Sequence, residues 1–265
     1  MKNNVNICVS PEAKVDRYLD KFSPITLEEM KSFELLDRVE IKYLIELDKL
    51  FELLDELPKF YKILKIGKYR KTDYRTIYFD TPDFKMYKEH HNGRLNRYKI
   101  RVRKYMNSGL SFIEIKFKDN KEKTFKKRIQ IPENFYKLEG GIKKFIQEKS
   151  PFETKDLSPV LFNNYTRITL VSKKNVERVT IDINLEFFNK AINKTIKLPN
   201  LAIIEIKQEK FSKNSDIVKL MREKSIRSNG LSKYCIGAGL IYDGLKTNNF
   251  KEKLMIINKL NSGSK

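Results

Sequence analysis

The sequence has few of the side chains that build soft metal sites. Its two cysteines, Cys8 and Cys235, are far apart, and its two histidines, His90 and His91, are adjacent. A closed zinc-type centre needs about four such ligands at short spacings, so no His/Cys metal site is expected. The cysteines read as reduced thiols of a cytosolic protein. The histidine pair reads as solvent-facing. Long apolar runs are missing too. No segment offers the ~20 apolar residues of a membrane helix. The opening MKNNVNICVSPEAKVDRYLDKF has no apolar core of signal-peptide length, so a cytoplasmic location is expected. Proline and glycine are scarce, at 8 and 10 of 265 residues, and no stretch reads as an interdomain linker or repeat. The expected organisation is a helical extension over 1–32, one main domain over 33–245 and a basic tail over 246–265. Gly237-Ala238-Gly239 is too short for a dinucleotide fingerprint and reads as helix packing. The lysine-rich tail reads as a solvated helix and frayed end.

Acidic charge is the remaining shortage. Lys and Arg number 55 against 34 Asp and Glu, a formal net charge of +21. That balance asks for an anionic partner: nucleic acid, an anionic membrane or a polyanionic small molecule. Hydrophobic residues make up 40%, enough for a packed core.

Thr26-Leu27-Glu28-Glu29 has the pattern of a capping box, and a strand follows over about 35–45. Leu47, Leu50, Phe51, Leu54 and Leu57 recur at helical spacing until Pro58. YRTIYFD (74–80) reads as a strand, with Thr81 capping a helix that has Pro82 at its first position. Strands are expected near 96–105, 110–118 and 122–131, with turns at Gly109 and Asp119-Asn120. A helix is expected over 133–148, and strands again near 160–173, 176–185, 192–198 and 200–208. Helices close the chain near 214–224, 232–245 and 248–260. About eight strands at hairpin spacing, without βαβ alternation, indicate an α+β fold: an antiparallel barrel or sandwich with helices packed outside.

The informative feature is the polar face of each strand, since residues i and i+2 point the same way. Arg38, Glu40 and Lys42 share one face, as do Lys99, Arg101 and Arg103. So do Glu114, Lys116 and Lys118, then Lys126 and Arg128, then Tyr165 and Arg167, then Glu205 and Lys207; Asp182 opposes Ile181 and Ile183. On any one strand this is an ordinary wet face. Across all of them, arginine recurs with isolated carboxylates among the bases. If helices cover the apolar outside, the charged faces line the inside. Such a lumen repels itself unless an anion fills it. A triphosphate with metal ions on the carboxylates meets that need, and arginine's planar fork suits phosphate oxygens.

The ordered segments RVEIKYLI (38–45), YFDTPDF (78–84), YKIRVRKY (98–105), FIEIKFK (112–118), KKRIQI (126–131), NYTRITL (164–170), VTIDINL (179–185), AIIEIKQ (202–208) and LSKY (231–234) resemble the triphosphate tunnel metalloenzyme superfamily. Within it they resemble the polyphosphate polymerase (VTC) domain. The resemblance implies an eight-stranded antiparallel barrel forming a tunnel. It implies phosphate contacts from Lys42, Arg101, Arg103, Lys116, Lys126, Arg128, Tyr165, Arg167, Lys207, Ser232 and Lys233. Of these, Lys42, Arg101, Arg103, Lys116, Arg167 and Lys233 would act in catalysis. Lys233, near a helix start, would cap the tunnel. Glu205 would bind a divalent metal, Mn2+ or Mg2+, with Glu114 and Glu40 nearby. The substrates implied are ATP and inorganic polyphosphate, with no specific nucleic acid, and any membrane coupling would come from a separate protein. Hydrolysing relatives carry Glu-x-Glu-x-Lys on the first strand; here Arg38 leaves Arg-x-Glu-x-Lys, which favours the polymerase branch. The alternatives are a tunnel triphosphatase and a non-enzymatic polyanion- or nucleic-acid-binding module.

Overall fold

The computed structural model describes residues 11–30, 39–121, 123–133, 135 and 137–262, with the side chains of 11–13 excepted. The strands are β1 (Pro24–Ile25), β2 (Val39–Glu46), β3 (Tyr61–Leu64), β4 (Thr72–Asp80), β5 (Arg97–Tyr105), β6 (Ser111–Lys118), β7 (Thr124–Ile131), β8 (Ser158–Ser172), β9 (Glu177–Asn189), β10 (Lys194–Leu198) and β11 (Leu201–Gln208). The helices are α1 (Pro11–Leu19), α2 (Leu47–Glu56), α3 (Lys85–His91), α4 (Gly141–Lys149), α5 (Asp216–Glu223), α6 (Lys233–Ile241) and α7 (Lys251–Ser262).

All eleven strands join one sheet. Its hydrogen-bonded path holds eight strands, β2-β11-β9-β8-β4-β5-β6-β7, and every neighbouring pair on it is antiparallel. Among the described residues the end strands β2 and β7 are not bonded to each other, yet the sheet curls. The Lys116 ammonium on β6 feels Glu40, Lys42 and Glu205 of β2 and β11, far along the path. The charged faces therefore look inward across a tunnel. β1, β3 and β10 lie off the path; β3 pairs with β8, a pairing its four residues did not announce.

The apolar faces are covered as the period-2 pattern requires. Ile204 and Ile206 of β11, Ile168 and Leu170 of β8, and Ile181 and Ile183 of β9 share a core with Leu50, Leu54 and Leu57 and with Ile217 and Met221 of α5. Val15 and Leu19 of α1 join it. A second core joins Ile100, Val102, Ile113 and Ile115 to α3, α4, α6 and α7. At Asn184, φ is +54°, and the register of β9 slips against β8. The slip lets Asp182 face the charged lumen while Leu185 and Phe187 turn to the core that holds α6. That helix packs close: a β-carbon on Gly237 would meet Phe187 Cδ1 at 2.4 Å and Leu161 Cδ2 at 2.7 Å. Gly237→Ala is therefore expected to lower the urea midpoint by the equivalent of about 1–3 kcal/mol; an unchanged midpoint would contradict this packing.

Some local expectations need correction. Thr81 does not open a helix at Pro82. α3 begins at Lys85, after Phe84 at φ +58°. The first turn is capped from a distance: buried Asp80 accepts from the Met86 and Tyr87 amides, both at 2.9 Å, and Thr81 Oγ1 accepts from the Lys85 amide. A carboxylate already fixed at a strand end satisfies two orphan amides, which one threonine cannot. The helix expected over 133–148 is confined to α4, which starts after Gly140 at φ +58°. The histidines do not face solvent. His91 is buried, and Asn249 donates to it from the turn before α7; His90 is half-buried beside the tunnel cations. The capping-box bonds between Thr26 and Glu29 form, but the residues after Met30, like the first residues of the expected strand 35–45, lie outside the described residues, as does Cys8.

Candidate active site

Three carboxylates organise the lumen, Glu114 and Asp182 buried and Glu205 half-buried. Glu114, 1% exposed, lies between β5 and β7. Arg101 donates to its Oε2 through Nε at 2.7 Å and Nη2 at 2.6 Å. Lys126 pairs with Oε1 at 2.5 Å, and Arg103 stands 3.9 Å away. Burial alone would raise the Glu114 carboxyl; Arg101, Arg103 and Lys126 outweigh it and hold it well below the usual range.

Asp182, 2% exposed, takes a two-pronged grip from Arg167, Nε to Oδ1 at 2.6 Å and Nη2 to Oδ2 at 2.7 Å. Lys233 donates to Oδ2 as well. Burial opposes ionisation here too, and Arg167 and Lys233 pull the Asp182 carboxyl down to about 2.

Glu205 on β11 pairs with Lys207 at 2.7 Å and with Lys42 at 3.3 Å; Lys42 also reaches Glu40 at 3.3 Å. Its carboxyl is held low against burial by Lys207, Lys42 and Arg167. Glu40 and Glu205 repel each other across this group. Glu114 belongs to the other cluster, and among the described residues no three His, Cys, Asp or Glu side chains gather as a metal site.

Aromatic rings pave the space between the clusters. Tyr165 stacks on Tyr74 with centroids 5.1 Å apart, Lys233 Nζ sits 4.8 Å over the Tyr165 ring, and Arg103 and Arg167 lie over Tyr74. Ser232 caps α6, accepting from the Cys235 amide, and it also accepts from Lys99 Nζ at 3.1 Å. The helix start expected at Ser232-Lys233 is present. Arg128 stands apart, exposed on β7 with its guanidinium 4.7 Å over the Phe112 ring. Arg38 lies outside the described residues.

Buried polar atoms without a partner cluster on this face: Arg103 Nε, the Tyr165 hydroxyl, Thr76 Oγ1, Thr180 Oγ1 and Asn163 Oδ1. Leaving a buried donor or acceptor unmade costs about 1–3 kcal/mol each, so the lumen is built for a polar occupant. Thr76, Tyr74, Thr180 and Asn163 were not singled out in the sequence. Thr76 shares a period-2 face with Tyr74, and their position opposite Arg103 and Tyr165 follows only from strand pairing.

The VTC domain family model matches residues 37–242. The chain belongs to the VTC domain family. Its fold is that of solved triphosphate tunnel proteins. A putative adenylyl cyclase from Hippeastrum, described as having a dominant triphosphatase activity, is 14% identical and superposes with a TM-score of 0.53 over 77% of this chain and 97% of that one. A putative adenylate cyclase from Bacillus halodurans, also 14% identical, gives 0.49 over 74% and 94%. No curated protein matches the sequence significantly. In this VTC domain nine cations, Lys42, Lys99, Arg101, Arg103, Lys116, Lys126, Arg167, Lys207 and Lys233, face four carboxylates, Glu40, Glu114, Asp182 and Glu205. That excess of positive charge makes the lumen electrostatically suited to an anionic occupant.

Proposed function

We propose that the chain is a polyphosphate polymerase, transferring the γ-phosphoryl group of ATP to the end of an inorganic polyphosphate chain. The observation that carries this reading is the surplus of cations over carboxylates on one inward face, with arginines fixed by buried acids. Membership of the VTC family and Arg38 in place of a first-strand carboxylate favour polymer formation over hydrolysis.

The residues divide the work by position. Arg101, Arg103 and Lys126 converge around Glu114, so their remaining donors meet phosphate oxygens without first being ordered. Arg167 and Lys233 do the same around Asp182, and Tyr165 adds an unspent hydroxyl between them. In the transfer, a terminal oxygen of the acceptor chain forms a bond to the γ-phosphorus, the bond to the β-phosphate bridging oxygen breaks, and ADP leaves with that electron pair. No side-chain nucleophile is needed. Charge shifting to the leaving oxygen is stabilised by the fixed guanidinium and ammonium groups.

The tunnel family implies a divalent metal. Glu205 and Glu40 fit it: Mg2+ and Mn2+ prefer oxygen donors, and Mg2+ sites often use only one or two carboxylates beside substrate phosphates. Bound there, the ion would neutralise phosphate charge. Lys42 and Lys207, which share Glu205, are placed to turn from carboxylate to phosphate.

A tunnel triphosphatase is the second reading, favoured by the Hippeastrum protein's described activity. Stoichiometry separates the two. A polymerase releases one ADP per ATP without free orthophosphate; a hydrolase releases orthophosphate in step with turnover. Binding itself is tested by melting. Tripolyphosphate at about a hundredfold excess over its Kd should stabilise the fold by about 2.7 kcal/mol, roughly 5–10 °C. An equal shift from sulfate at matched ionic strength would mean charge screening instead.

A further inference from the structure

Lys99 is the lumen cation that none of the three carboxylate clusters serves. Its Nζ donates to Ser232 Oγ at 3.1 Å. Among the described residues it has no carboxylate in ion-pair reach. The groups around it are Arg97 on its own strand, Lys116 opposite it on β6, Lys42 on β2, His90 at the end of α3, and Ser232 and Cys235 at the start of α6. Four of these are cationic or can become so, and none is an anion. An ammonium with two donors left over and like charges around it is costly to keep buried.

We propose that Lys99 and Ser232 form a phosphate subsite of their own at the α6 end of the tunnel, taking a phosphate group beyond those held by Arg101, Arg103 and Lys126. The proposal rests on the tunnel being a polyphosphate site; the family resemblance already places Ser232 among the phosphate contacts, and what is added is Lys99, bound to that hydroxyl. Ser232 is the hinge of the arrangement. Its hydroxyl is fixed by capping α6, so Lys99 is aimed at a defined point beside Lys233, the next residue, which grips Asp182. A chain of phosphates lying between Arg101 and Lys233 would pass this point.

The site has a proton attached to its occupancy. Burial pushes the Lys99 ammonium down to about 7; Lys116, Lys42 and Arg97 push the same way, and Cys235 opposes them. At pH 8 the amine is therefore mostly neutral. A phosphate anion beside it favours the charged form, so binding takes up a proton. His90 stays neutral throughout, its imidazole pushed far down by burial and by Lys99, Arg97 and Lys116.

The test is tripolyphosphate binding by calorimetry in metal-free buffer, comparing the wild type with Lys99→Met and Lys99→Arg. At pH 6.5, Lys99→Met should bind at least tenfold more weakly, and Lys99→Arg near normally. Between pH 7.5 and 9 the wild-type affinity should fall against that of Lys99→Arg, by up to about tenfold per pH unit, because only lysine must collect a proton. Lys126 and Lys116 also titrate low, but they are common to all three proteins and cancel in the ratio. At pH 8, runs in two buffers of different ionisation heat should show the wild type taking up about one more proton than Lys99→Arg. Equal binding by Lys99→Met, with a flat wild-type to arginine ratio, overturns the subsite and leaves the tunnel reading standing. No binding of tripolyphosphate to the wild type overturns that reading and the subsite with it.

Discussion

Arg103→Ala is expected to cut turnover by about 10²–10³-fold, the ~3–4 kcal/mol that one fixed donor aimed at developing charge contributes, with little change in melting temperature. Arg103 is buried, yet it stands 3.9 Å from Glu114 and its Nε has no partner. Glu114 keeps Arg101 and Lys126 when Arg103 is removed, so no acid is orphaned. Arg101→Ala should behave differently. Arg101 makes the 2.6 and 2.7 Å contacts to Glu114 Oε2, and truncating it leaves a buried carboxylate held by Lys126 and the distant Arg103. Breaking such a pair costs up to about 3–5 kcal/mol where no other cation remains, and less here. Arg101→Ala should therefore lose both activity and stability. The loss should recover partly in Arg101→Ala/Glu114→Gln, which removes the orphaned charge but not the missing phosphate contact. Near-normal turnover by folded Arg103→Ala would take that residue out of the site.

Glu205→Gln is expected to abolish most metal-dependent turnover, by about 100-fold or more, and to raise the manganese concentration needed for the remainder. Neutralising Glu205 also leaves Lys42 and Lys207 facing each other, with only Glu40 beside Lys42. The metal-free protein should thus melt lower, by about 1–2 kcal/mol or roughly 3–6 °C. The two roles separate in the metal titration. A variant that melts low but keeps the wild-type manganese dependence and rate would make Glu205 an ion-pair partner for two lysines and nothing more.

The charged face of each long strand was legible because period 2 is a local property. Glu40 with Lys42, Lys99 with Arg101 and Arg103, and Glu205 with Lys207 fall on one side whatever the rest of the chain does. Their mutual assignments were not legible. Asp182 meets Lys233 from α6, 51 residues on, because the slip at Asn184 turns β9 where α6 docks. Glu114 was grouped with Glu40 and Glu205, yet strand pairing sets it between Arg101 and Arg128, where the Lys126 side chain also reaches it. The α3 cap was misplaced for a similar reason: Asp80 looks like the end of a strand until Tyr234 and two amides converge on it. Lys99 stood in the RVR face without distinction, because its lack of a counter-ion is a property of what surrounds it.

The most direct measurement incubates the purified protein with ATP and Mn2+ or Mg2+ and resolves phosphate species on a gel, beside Arg103→Ala. The expected result is a ladder of long inorganic chains that grows with time, matched by ADP, and absent from the variant. ATP consumed by the wild type with orthophosphate as the product and no chains would contradict polymerisation and leave the tunnel a triphosphatase.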